Sequence, residues 1–141
     1  MHTIPKENLE KIKTTIFEAI ESGRMPAYMP GDGRCMYRDG DGNACGYGAL
    51  VPDDSPHLQD ILDADGSIYY LKAHIGTEAV CDVPALEGVE ANDIVVGFLH
   101  RLQGVHDNVV AQNVDFTTRE GMKQPLRDAY HRFFKAEEAR V

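Results

Sequence analysis

Apolar residues recur at helical spacing in three stretches of the chain. Leu9, Ile12, Ile16 and Ile20 share one face of residues 6–22, with Lys and Glu between them, which predicts an amphipathic helix. Pro5 suits its entry and Gly23 its end. Ile94, Phe98 and Leu102, flanked by Val95 and Leu99, predict a second helix over 91–105, followed by a connection over 106–115. Met122, Leu126, Ala129, Tyr130 and Phe133 predict a third over 117–139. Thr117 and Glu120 form a capping box at its start, and Pro125 inside it marks a kink or a later beginning. Core packing is the expected role of each stripe.

The intervening segments read differently. Residues 23–33 are rich in Gly and Pro and form a loop. The Gly/Asp/Asn cluster at 39–43, with short segments on either side, is a hairpin signal. A turn centred at Gly40 pairs Arg38 with Gly42, Tyr37 with Asn43, Met36 with Ala44, and Cys35 with Cys45. Ser55 and Pro56 open a short helix ended by Gly66, with Leu58, Ile61 and Leu62 inward. Residues 67–83 fit either a strand or a helix, and Pro84 stops them. The expected architecture is α+β: about three main helices packed around a small antiparallel β-hairpin, in a single domain spanning 1–141.

Composition narrows the function classes. The chain has 141 residues, long enough for a full core in one domain, and is 43% apolar, too apolar for a disordered chain. No apolar run approaches the roughly 18 residues of a membrane span, and the first residues lack the apolar stretch of a secretory signal. The net charge of −9 argues against nucleic acid or an anionic membrane as partner. Its distribution says more. Residues 1–38 carry six basic and five acidic side chains, and residues 101–141 carry seven and six. Residues 39–100 carry twelve acidic side chains and one basic one, Lys72. The middle of the chain therefore either presents a solvated acidic face or meets something basic. Asp53, Asp54, Asp60, Asp63 and Asp65 are the candidate binding surface, and a basic protein is the expected partner.

Cysteine and histidine supply the candidate chemistry. The three cysteines, Cys35, Cys45 and Cys81, are an odd number, which argues for a reducing compartment. Opposed across the hairpin, Cys35 and Cys45 read as small buried hydrophobes, as two ligands of a zinc site, or as the home of a nucleophile. The zinc reading takes Cys35, Cys45, His57 and His106 as ligands, with Cys81 and Asp107 as alternatives. The catalytic reading takes Cys45 as nucleophile, because the small residues after it leave backbone N–H groups for an oxyanion. His106 is then the base, Gln103 polarises an acyl oxygen, and Asp107 orients the imidazole. The bland reading of His106-Asp107 is a helix end and a cap. Asp39-Gly-Asp41-Gly-Asn43 opens like a calcium loop, but Ala44 and Leu50 stand where that loop needs Gly and Glu. No phosphate-cradling loop, dinucleotide fingerprint, nucleophile elbow or HExxH helix is present in the sequence.

Gly33-Arg34-Cys35-Met36-Tyr37-Arg38, the Asp-Gly turn, Cys45, the run Gly48-Ala49-Leu50-Val51-Pro52-Asp53, and Leu102-Gln103 with His106-Asp107 carry a resemblance. Together they resemble an uncharacterised family of small proteins of tailed phages, prophages and bacteria. The resemblance covers roughly residues 33–54 and 99–107. It implies a cytoplasmic, phage-related setting and assigns no activity. The expected function is that of an acidic accessory protein that binds, and thereby inhibits, a basic host or defence protein. The alternatives are a cysteine-dependent hydrolase or transferase using Cys45 and His106, and a small zinc-site protein.

Overall fold

A computed structural model describes residues 4–25, 37–38, 42–62, 67–112 and 119–139. Six α-helices lie within them: α1 (Lys6–Glu21), α2 (Leu58–Leu62), α3 (Ile68–Ile75), α4 (Thr77–Val80), α5 (Asp93–Gln112) and α6 (Arg119–Glu138). Single 3₁₀ turns occur at Gly48–Leu50 and Pro84–Leu86.

The three long helices build the core. The α1 stripe of Leu9, Ile12, Ile16 and Ile20 is buried as its spacing predicts, and α1 packs on α6. From α5 come Val95, Phe98, Leu99, Leu102, Val109 and Val110, and from α6 Met122, Leu126, Tyr130 and Phe134. Ile94, expected on the inner face of α5, is 59% exposed, and in α6 Ala129 and Phe133 are only partly buried while Phe134 takes the inward place. Ion pairs seal the bundle outside: Lys13 with Glu138 at 3.0 Å, and Arg127 with Glu21 at 2.6 Å. Arg101 holds Glu137, a carboxylate only 2% exposed, at 3.0 Å.

The α+β expectation is corrected: among the described residues the protein is helical and has no strand. The hairpin segment contributes one isolated antiparallel bridge, Arg38 to Ala44. Its register differs from the expected one, which opposed Arg38 to Gly42. Cys45 donates its backbone N–H to the Tyr37 carbonyl at 3.0 Å, so Tyr37 stands where Cys35 was expected. Cys35 and Met36 lie outside the described residues. A lone two-stranded pairing is marginal in water, and here the chain turns directly after Cys45 into the 3₁₀ turn Gly48–Leu50.

Residues 67–83 resolve as helix. Ser67 caps α3, its side chain accepting the Tyr70 N–H at 3.2 Å. Ile68 and Leu71 are buried while Tyr69 and Tyr70 are exposed, a helical pattern and not the alternation of a strand. α3 lies on α5 and leads into the single-turn α4. The short helix after Ser55 is smaller than expected and begins at Leu58, with Ile61 buried. α5 runs seven residues past its expected end, so His106 and Asp107 are inside a helix and not in a connection. The expected capping residue Thr117 lies outside the described residues.

Candidate functional site

Two places gather the residues that carry chemistry. The first is a buried joint between α5 and the turn after Cys45. Gly46 and Gly48 make this turn possible. A Cβ on Gly46 would collide with the Tyr130 hydroxyl and the Leu102 carbonyl, and one on Gly48 with the Tyr37 carbonyl. Only glycine allows such close backbone approach. Between them, Tyr47 is fully buried, its ring edge-on to Tyr37 at 5.6 Å.

Gln103, His106 and Asp107 meet this turn. The Tyr47 N–H donates to Gln103 Oε1 at 2.9 Å, and Gln103 Nε2 donates to Asp107 Oδ1 at 2.9 Å. The same carboxylate oxygen lies 3.0 Å from His106 Nδ1. Gln103 and Asp107 are one helical turn apart, which is why they can pair. The Gly48 N–H donates to Cys45 Sγ at 3.2 Å. Cys45 and His106 are both 0% exposed, Gln103 is 5% exposed, and Asp107 alone reaches solvent. Both ends of the Gln103 amide are therefore committed inside the protein. Its oxygen holds a backbone N–H and its nitrogen holds Asp107, which leaves the assembly acting as a clasp between turn and helix. Sequence placed these four residues in one candidate site but gave no role to Tyr47, whose N–H joins the turn to Gln103.

The second place is a surface groove of about 870 Å³. One wall is the loop from Pro52 to His57, the other is α4 with its exit, and the end is the turn after Leu86. Among the described residues four carboxylates line it, Asp54, Glu78, Asp82 and Glu87, together with His57 and no Lys or Arg. Each of those four acidic residues is exposed. Val83, Leu86 and Val89 supply apolar lining between them. His57 Nε2 sits 3.0 Å from Asp82 Oδ2 and so bridges the two walls. Glu87 is anchored from the core side: Asn8 of α1, 4% exposed, donates to the Ala85 carbonyl at 3.0 Å and to the Glu87 carbonyl at 3.1 Å. Cys81 also lines the groove, and burial pushes its thiol pKa up against the lowering effect of a backbone bond from Asn92.

The acidic residues singled out in the sequence divide. Asp54 lines the groove, and Asp60 is exposed on α2. Asp53 does something else: it pairs with Arg38, which is 5% exposed and also donates to the Val51 carbonyl at 2.8 Å. The Arg38 hydrogen bond, then its charge, holds the Asp53 carboxyl below the usual carboxylate range. Asp63 and Asp65 lie outside the described residues. Glu78, Asp82 and Glu87 were part of the acidic middle segment but were not singled out. They fall within a span of nine positions in sequence, and only the fold of α4 and the following turns brings them beside Asp54. Lys72, the lone cation of that segment, is engaged with Asp93 at 2.7 Å.

Of the proposed zinc ligands, His57 is in the groove, Cys45 and His106 are in the joint, and Cys35 lies outside the described residues. Among the described residues no three His, Cys, Asp or Glu side chains are grouped to hold a metal ion. Nor is any described helix long and apolar enough to cross a membrane. Comparison with family models, with curated proteins and with solved structures finds no match to this chain.

Proposed function

We propose that this chain is a binding protein whose groove receives a basic segment of a partner protein. The observation that carries the reading is the single sign of the groove's charged lining among the described residues: four carboxylates and no Lys or Arg in about 870 Å³. Carboxylates of one sign in a concave surface focus the field and favour a cationic occupant. The apolar lining contributed by Val83, Leu86 and Val89 suits the aliphatic stems of Lys and Arg, which cover apolar surface while the charged head reaches a carboxylate. Those dimensions favour a peptide segment over a single metal ion. Occupying such a segment would block its own contacts, the inhibitory role expected of an accessory protein. The sequence resemblance to small phage and bacterial proteins supports a cytoplasmic setting for it, and the odd cysteine count supports a reducing one.

The test is binding of a short labelled Arg/Lys-rich peptide, with its Asp/Glu counterpart as control. The basic peptide binds, and binding weakens as salt rises from about 0.05 to about 0.3 M, where screening shortens to several ångströms. Replacing Asp54, Glu78, Asp82 and Glu87 together by their amides abolishes it, while replacing Glu10, Glu18 and Glu21 of α1 by glutamine leaves it. A basic peptide that binds equally to both variants contradicts the proposal.

A further inference from the structure

Tyr47 connects the buried joint to the groove. Its hydroxyl donates to the Val80 carbonyl at 2.7 Å across thirty-three positions of sequence. Val80 is the last residue of α4. A helix of one turn cannot sustain itself, and its last carbonyls have no partners within the helix. Cys81 and Asp82 follow at once, with their N–H groups bonded to the Thr77 and Ala79 carbonyls at 3.1 and 3.2 Å. The Tyr47 bond therefore grips the segment that gives the groove Glu78, Cys81 and Asp82.

The other side of Tyr47 is equally fixed. Its N–H is held by Gln103, which is held in turn by Asp107. Its neighbours Gly46 and Gly48 are wedged against α5 and the Tyr37 backbone. Burial, then the nearby Cys81, Tyr37, Cys45 and Asp82, raises the pKa of the Tyr47 phenol far above that of a free tyrosine. The hydroxyl thus keeps its proton and remains a donor at any pH near neutral.

We infer that Tyr47 is a positioning residue for the groove: through the Val80 carbonyl it sets where the carboxylates of the α4 wall stand. This rests on the groove being the binding site. Tyr47 touches no ligand in this account; it acts on one wall, from behind, and its anchor is α5. The clasp of Gln103, His106 and Asp107 then has a use at the surface, since it fixes the residue that fixes the wall.

The test compares two substitutions, each weakening one buried polar contact. Tyr47→Phe removes the bond to Val80. Glu137→Gln weakens the pair of Arg101 with the buried Glu137 at 3.0 Å, which joins α5 to α6 and touches neither the turn nor α4. Both are measured in sucrose, which favours the compact state and keeps each variant folded. The expected result is a comparable fall in Tm for both. Binding of the Arg/Lys-rich peptide weakens by about three- to tenfold in Tyr47→Phe alone, the range of one hydrogen bond. Amide exchange at Cys81 and Asp82 also accelerates in that variant and not in the other. If wild type binds the peptide and both variants bind it as wild type does, Tyr47 is structural only and the inference is overturned. Equal weakening in both variants overturns it too. If wild type does not bind the peptide, the groove reading itself fails, and the inference with it.

Discussion

Single residues show what the sequence could and could not reveal. Asp53 read as a surface carboxylate free to meet a partner, yet it is engaged with the buried Arg38. Sequence could not anticipate this, because Arg38 is fifteen positions away and its burial depends on the fold. The pairing has a pH signature. A carboxyl held below its ordinary pKa in the folded state stabilises the fold above the unfolded-state value and loses that contribution as pH falls through the folded value. Asp53→Asn should therefore lower the urea midpoint near pH 7, and the gap from wild type should close in acid as the carboxyl takes up its proton. A gap that persists in acid would show that the effect is not ionic. His106-Asp107 shows the opposite case. The pair was visible in sequence as chemistry-bearing residues, and the two side chains do meet, at 3.0 Å. The burial of His106 was not legible, because polar residues inside a helix look like its end unless their partners are known. Asp107, at the solvent edge of α5, meets both the buried imidazole and Gln103.

At the scale of elements, apolar periodicity located α1, α5 and α6, since each buries a long stripe and tertiary packing rewards that pattern directly. The continuation of α5 was also written in the chain, in Val109 and Val110, which are buried one and two residues into the last turns. The hairpin failed for a different reason. Gly and Asp mark a turn whether or not strands flank it, and a single bridge at Arg38 and Ala44 is all that forms among the described residues. Gly46 and Gly48 read as small residues that leave backbone N–H groups for an oxyanion, and they are the fitted contacts of the joint. Gly46→Ala should destabilise the protein by about 1–3 kcal/mol, because its methyl overlaps the buried Tyr130 hydroxyl and crowds the Leu102 carbonyl, so side chain and backbone must both shift. Thermal unfolding checks this against Gly104→Ala in α5, where a Cβ meets nothing within 4 Å and no such loss is expected. Equal losses at the two positions would contradict the close packing of the turn on α5.

For the molecule as a whole, the charge count gains a location. The flanking segments, nearly neutral, supply α1, α6 and most of α5, the scaffold. The acidic middle supplies the loop after Val51, α4 and the turns after it, and these fold around one groove. The sequence held the sign and the region of this surface but not its shape, which arises when α1 clamps the 85–87 segment through Asn8 and Tyr47 clamps α4. The most direct measurement is a titration of the isotopically labelled protein with the Arg/Lys-rich peptide, followed by backbone amide shifts. The account predicts that the perturbed amides gather at Asp54, His57, Glu78, Asp82 and Glu87, while the exposed face of α1 stays unperturbed. Perturbations centred on α1 or α6, with the groove unchanged, would contradict it.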